Sequence, residues 1–468
     1  MSRRMFRFAC WAFAAAAVLA FAADGRAQNN NNNNNNNNGG GGGSLPAGVE
    51  VDADGVLRTR VFDRRLNQQR LDAARRNVAP NLARPSKLRM VSLNRLEAAV
   101  SERLANGEAP TEEMQFLAGL TRVKYVFYYP ETQDIVIAGP AEPYGVDASG
   151  RAVGLNSGEA ITQLEDLVVA LRAFPPSGQR TRLVSVSIDP TQDGLKKMQD
   201  FLNRLGGRIP AGGANQIAMG LRQSLGNQVV TIQGVSPKTH FAQVLVEADY
   251  RMKLIGIGLE QPPVDIRSYT SRSNPRDVSR NALQRWYFVP NYECVKVGEN
   301  DLAMELVGDG VKLISEDERV QANGGRVNAN AVNRASQMFV QEFTAKYPQL
   351  AERSPVYGQL RNLIDLVIAA AFIQEVDYYG RAGWAMNVFG DEGQYAVETH
   401  TAPQQVESAV NIVWKGNTLM TPIGGGVHIE PRQALASQNR LADTDGELKS
   451  LHGGVDFSKV DAKQWWWD

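Results

Sequence analysis

The chain has 468 residues, 50 basic and 50 acidic side chains, a formal net charge of zero and 43% hydrophobic residues. Its bulk charge singles out no class of partner, and its apolar content suits a large core spread over two or three domains. Its two cysteines, Cys10 and Cys294, exclude a disulfide scaffold once Cys10 leaves with the leader described next, and Cys294 is expected buried on a strand.

Residues 1–27 are expected to be a signal peptide. Arg3, Arg4 and Arg7 precede an apolar run from Phe8 to Ala23, and Ala20 with Ala22, or Gly25 with Ala27, offer small residues for cleavage. Ser2, Arg3, Arg4, Met5 and Phe6 also fit a twin-arginine signal, so that route and the general secretory route both stay open. The protein is expected to be secreted, or to sit in the periplasm or cell envelope. The mature chain is expected to have no transmembrane segment unless the leader is retained as an anchor. Asn29–Asn38 and Gly39–Gly43 form most of a linker over residues 28–44, with no apolar surface to offset the entropy of ordering it.

Residues 45–91 are expected to form a basic arm. From Arg58 to Arg95 eleven basic residues face only Asp63 and Asp72, a net charge of +9. Arg64, Arg65, Arg70, Arg75 and Arg76 are its candidate contacts, since the guanidinium fork matches carboxylate and phosphate. The expected partner is an anionic envelope polymer or another envelope protein, with no specific nucleic acid. Equally, such an arm can wrap back onto the acidic remainder of the chain.

Residues 92–260 are expected to be an α/β domain. Ser92–Ala105 has the spacing of a helix, with Leu93, Leu96, Val100 and Leu104 on one stripe. After a short helix from Thr111, Val123–Tyr129 and Ile135–Ala138 form one hairpin, and a second turns at Ser149 and Gly150. Asn156 with Glu159 has the pattern of a capping box, opening a helix with Ile161, Leu164, Leu167, Val168 and Leu171 on one face. Strand Leu183–Ile188 leads to Asp189 and Pro190 as N-cap and first residue of a helix ended by Gly206 and Gly207, and Val229–Ile232 is the next strand. The helix from Thr239 to Leu259 has apolar residues on two opposite sides and is expected to be buried on both. Glu247 and Asp249 stand four residues before Arg251 and Lys253 on the edges between.

Residues 261–432 are expected to be an α+β domain. Trp286–Val289, Glu293–Val297, Leu302–Val307 and Val311–Ile314 suggest a β-meander. Ala331–Tyr347 and Val356–Gln374 suggest a helical hairpin parted by Pro348 and Pro355, whose second helix is too short and too interrupted by Asp365 to span a membrane. Strands are expected around Trp384–Phe389, Tyr395–Thr399, Val410–Trp414 and Leu419–Ile429, and residues 433–468 are a C-terminal tail. The fold class is α+β (mixed α/β), with helices packed on mixed sheets.

Five strings carry a resemblance: Val244–Gly256 (VLVEADYRMKLIG), Arg285–Val297 (RWYFVPNYECVKV), Glu305–Glu318 (ELVGDGVKLISEDE), Pro355–Ala371 (PVYGQLRNLIDLVIAAA) and Thr421–Pro431 (TPIGGGVHIEP). Over about Thr239 to Pro431 the chain resembles a family of exported planctomycete-type bacterial proteins defined only as a domain of unknown function. The resemblance implies an envelope-associated or secreted protein and carries over no activity, cofactor or site.

Candidate chemistry is sparse. The four histidines, His240, His400, His428 and His452, lack the spacing of zinc ligands on one helix or hairpin. His400 and His428 could still meet across the C-terminal strands beside Glu398 or Glu430. No nucleophile elbow is present, and the Asp52, Asp54, Gly55 and Asp443, Asp445, Gly446 runs lack the closing Glu of a calcium loop. Gly424–Gly426 suit a bulge or hairpin. Trp465, Trp466 and Trp467 would be a costly exposed patch, so they dock on the body or meet a sugar, partner or membrane interface. No catalytic residue and no cofactor is assigned. The leading expectation is a non-enzymatic envelope binding or scaffold protein using the arginines and the tryptophans. The alternative is an exported hydrolase, possibly metal-dependent, with a site at the C-terminal strands.

Overall fold

The computed structural model describes residues 44–205, 213–273, 282–291, 295–321, 323–329, 333–411 and 423–468. The leader, most of the linker, Gly206, Gly207 and Cys294 lie outside them. Among the described residues helices pack on two mixed sheets, an α+β architecture. The larger sheet runs in the order Ser44–Val51, Val56–Asp63, Gln405–Val406, Gln228–Gln233, Val184–Asp189, Ile423–Ile429, Ala282–Asn291, Gly310–Val320, Arg326–Asn328. The smaller runs Arg440–Ala442, Val295–Val297, Ala303–Leu306, Tyr125–Tyr129, Asp134–Ala141, Ser86–Ser92, Trp466–Trp467. Each sheet takes strands from both sides of residue 260, so the stretches 92–260 and 261–432 share their sheets, and the arm and tail segments join them too.

The four strands expected as a meander are present but divided. Ala282–Asn291 pairs antiparallel with Gly310–Val320 in the larger sheet, while the intervening Val295–Val297 and Ala303–Leu306 pair in the smaller one, against Tyr125–Phe127. The triple glycine lies in neither bulge nor hairpin. It occupies the strand Ile423–Ile429, inside the larger sheet, parallel to Ala282–Asn291 and antiparallel to Val184–Asp189. There a Cβ on Gly425 would sit 1.9 Å from the Trp286 carbonyl oxygen, and its φ of +146° also favours glycine.

The helix expected from Thr239 is His240–Gly256, capped by the Thr239 side chain; one apolar side is buried, the other is buried at Val246 and half-buried at Tyr250 and Leu254, and Leu259, past its end, is exposed. It packs on Val184–Asp189 and Ile423–Ile429 and against helices Leu164–Ala173 and Pro355–Glu375. Pro348 does not end its helix but lies within Arg334–Arg353, whereas Pro355 opens the next one. Helix Pro355–Glu375 is, by length and composition, apolar enough to cross a membrane, contrary to the expectation from Asp365. It is instead enclosed by protein, with Asp365 fully buried and paired to Arg122 at 2.7 Å. A continuous apolar core joins it to both sheets, from Val186 and Phe288 to Val126 and Ile137.

Three local expectations give way to side chains from distant segments. The helix expected to open at Asn156 begins at Leu164, because the Glu142 carboxylate accepts the Asn156 and Ser157 amides and Ile161 and Thr162 bond to Ala152 and Leu120. Asp189 does not cap the following helix; Thr191 bonds the Gly194 amide at 2.9 Å, and Asp189 receives Arg285 and Arg326. Trp384–Phe389 and Tyr395–Thr399 are not strands. Glu97 accepts the Val388 and Phe389 amides, both at 2.7 Å, and the Trp384 indole, while Arg172 takes the Phe389 and Tyr395 carbonyls at 2.6 Å. Backbone groups satisfied this way need no ladder. The expected strand Val410–Trp414 falls largely outside the described residues.

Candidate functional site

The arginine-rich segment folds as a helix, Arg64–Arg76, whose N-cap Asp63 accepts the Arg65 amide at 2.7 Å. None of its residues is buried. It lies on the hairpin Tyr144–Val146 and Ala152–Gly154. Asn67 accepts the Ala148 amide at 2.9 Å, Arg70 donates to the Asp147 carbonyl at 3.3 Å, Arg75 donates to the Leu155 carbonyl at 2.9 Å, and Ala74 comes so close to Gly145 that a Cβ there would be 2.6 Å away. At 100° per residue this inner face leaves Arg65 and Arg76 pointing away from the body, about 16 Å apart along the axis. Arg75 and Arg76 complement the negative C-terminal end of the helix dipole, but Arg64 and Arg65 crowd its positive end, a placement that works against helix stability.

The neighbourhood only partly neutralises this segment. Arg58 pairs with Asp52 and Glu407, Arg60 with Glu50, Arg75 with Asp72, Arg89 with Asp468 and Arg95 with Asp134. Arg64, Arg65, Arg70 and Arg76 are exposed, and among the described residues none meets a carboxylate. The segment thus wraps onto the body while its helix presents four guanidinium groups with no carboxylate partner among the described residues, and Arg84 adds a fifth beyond it.

The tryptophans are docked. Trp466 and Trp467 pair with Val91 and Met90 at the edge of the smaller sheet, and Trp465 and Trp467 are buried. Trp466 donates to Glu113 at 2.5 Å and lies 4.5 Å beneath the Arg89 guanidinium, which is itself fully buried and grips both oxygens of the Asp468 side chain at 2.8 Å. These rings serve the fold, and Trp465 and Trp467 offer no free surface.

The structure gives His400 and His428 different partners. The His400 ring lies 6.0 Å from that of His240, and His428 donates from Nε2 to Glu430 at 2.6 Å. Among the described residues no group of three or more His, Cys, Asp or Glu is placed to hold a metal ion.

What the sequence did not disclose is the charged chain around the central helix. His240 Nδ1 lies 3.0 Å from both oxygens of Asp166, and Gln359 links the other ring nitrogen to Arg151, its amide nitrogen 3.4 Å from Nε2 and its oxygen 2.8 Å from the arginine Nε. Arg151 pairs with Glu247, which Arg251 also contacts at 3.3 Å, and Arg251 reaches Glu260 at 2.7 Å. Burial alone would lower the His240 pKa, but Asp166 and Glu165 lift it to about 9. The long amide contact at Nε2 suits a neutral ring, yet it is outweighed by two carboxylates at close range. Burial and the His240 charge hold His400 below its ordinary value. On the opposite edge Asp249 and Lys253 pair at 2.8 Å, and burial pushes the carboxyl up to about 6 and the ammonium down. Asp166 with His240 has the makings of a general base, but among the described residues its Nε2 faces an amide and no hydroxyl or thiol, and the pair orients the helix start. Of these contacts only the two pairs spaced four residues apart were legible; the others join residues from 9 to 208 positions apart.

Residues 186–269 match the model of a family described as protein of unknown function, DUF1598. Of the five resembling strings, Val244–Gly256 lies within that stretch, which runs from strand Val184–Asp189 through the central helix. No curated protein and no solved structure matches the chain.

Proposed function

We propose that this is a non-enzymatic binding or scaffold protein of the bacterial envelope that holds an anionic polymer against the helix Arg64–Arg76. The observation that carries this is the set of exposed arginines, Arg64, Arg65, Arg70 and Arg76, without carboxylate partners among the described residues, on a helix none of whose residues is buried. Two of them sit where they weaken their own helix, so helix stability does not account for them. The leader-like residues 1–27 support the envelope location, and the mass of the chain purified from cells tests it, since export with cleavage removes them.

Binding tests the rest. On a heparin column, standing in for an acidic polymer, wild-type protein should be retained and eluted by salt, because exposed charges separated by more than the ~8 Å Debye length at physiological ionic strength interact weakly. Arg64→Gln, Arg65→Gln and Arg76→Gln together should abolish retention at physiological salt. Equal retention of the folded triple variant would sink the proposal.

A further inference from the structure

A cleft of about 310 Å³ opens where the strand Ile423–Ile429 runs into the short helix Pro431–Leu435. Val289, Pro290, Ile314 and Ala434 form its apolar lining, and His428, Glu430, Gln433 and Asn439 its polar lining. This volume lies at the small end of the ~300–1,000 Å³ typical of ligand sites, which combine apolar walls with a few convergent polar groups.

The internal hydrogen bonds of the polar groups decide what they have left to offer. His428 gives its Nε2 proton to one Glu430 oxygen at 2.6 Å, and Gln433 donates its amide to the other. Asn439 spends its own amide on the Gln433 backbone carbonyl at 2.6 Å. With these donors committed, the unused capacity is mostly accepting: His428 Nδ1, Gln433 Oε1, Asn439 Oδ1 and the remaining lone pairs of a carboxylate, against one spare amide N–H each on Gln433 and Asn439. His428 and Glu430 are 41% and 39% exposed, so a ligand reaches them without unfolding anything.

We propose that this cleft binds a small organic cation, a primary alkylammonium, with its head on Glu430 and its carbon chain against Val289, Pro290 and Ile314. An ammonium brings three donors, no acceptor and a positive charge, matching a lining that is mostly accepting and in which Glu430 is the one carboxylate, with no Lys or Arg. A carboxylate ligand would meet like charge, and an alcohol brings one donor and no charge. This site is separate from the arginine helix and does not depend on its role.

The test is titration of the full chain with hexylammonium, hexanol and hexanoate, followed by calorimetry and by the side-chain amide resonances of Gln433 and Asn439. Hexylammonium should bind saturably and shift those resonances, hexanol should bind at least about tenfold more weakly, and hexanoate should not bind. Glu430→Gln should weaken hexylammonium by about tenfold or more, and Asn439→Leu, which keeps the carboxylate, by a smaller factor. Hexanol binding as tightly as hexylammonium, or a folded Glu430→Gln variant with unchanged affinity, would overturn the proposal. Should Glu430→Gln fail to fold, the ranking of the three ligands on wild-type protein still decides it.

Discussion

On the central helix His240–Gly256, Glu247, Asp249, Arg251 and Lys253 lie inside the protein, and each meets an opposite charge. On the helix Arg64–Arg76, five arginines lie at the surface and only Arg75 has a carboxylate partner among the described residues. The same side chains therefore play opposite parts. A buried charge must be neutralised where it stands or it destabilises the fold, whereas an exposed one is solvated and can await a partner. Pairing marks the interior as structural, and its absence outside marks the surface as available.

The sharpest way to break this contrast is Glu247→Ala, which strands Arg151, 10% exposed, and leaves Arg251 with Glu260 alone. It should cost about 3–5 kcal/mol in urea unfolding. A cost below about 1 kcal/mol would mean that the interior charges are dispensable. Next comes Arg89→Met, which leaves Asp468 and the Ala118 carbonyl without their guanidinium and should cost about 2–3 kcal/mol in the same measurement.

Acidity probes the same interior. His240 is raised from 6.5 to about 9 by Asp166 and Glu165 against the pull of burial, so its contribution is complete below pH 6.5 and is lost as pH rises through about 9. The melting-temperature advantage of wild type over His240→Gln should shrink between pH 6 and 9.5, a loss of at most about 3 kcal/mol. An advantage that stays constant across that range would show that the ring is not charged. Smallest in stability is the arginine surface: Arg65→Gln and Arg76→Gln should each change unfolding free energy by no more than about 0.5 kcal/mol while weakening salt-dependent polymer binding.

The sequence was most informative where partners are neighbours. The two apolar sides of the central helix and its pairs Glu247–Arg251 and Asp249–Lys253 follow from a 3.6-residue period, and the Tyr125–Tyr129 hairpin from β-branched and aromatic runs around a turn. It was least informative where a distant side chain takes the place of local structure. Nothing near Trp384–Phe389 announces that Glu97 will satisfy its amides, and nothing near Asn156 announces Glu142. The candidate site divides the same way. The arginines were visible as composition, but which of them lack partners depends on Asp52, Glu50, Asp134 and Asp468, brought in by the fold.

The strand Ile423–Ile429 lies between Val184–Asp189 and Ala282–Asn291, although it comes late in the chain. As the polypeptide leaves the ribosome, the two flanking strands emerge more than a hundred residues before the one that joins them. The larger sheet therefore stays in three pieces until Gln405–Val406 joins Val56–Asp63 to Gln228–Gln233, and in two until this strand arrives, and such distant pairings favour slow closure. A fragment ending before residue 423 loses the seam between those pieces, not a dispensable edge.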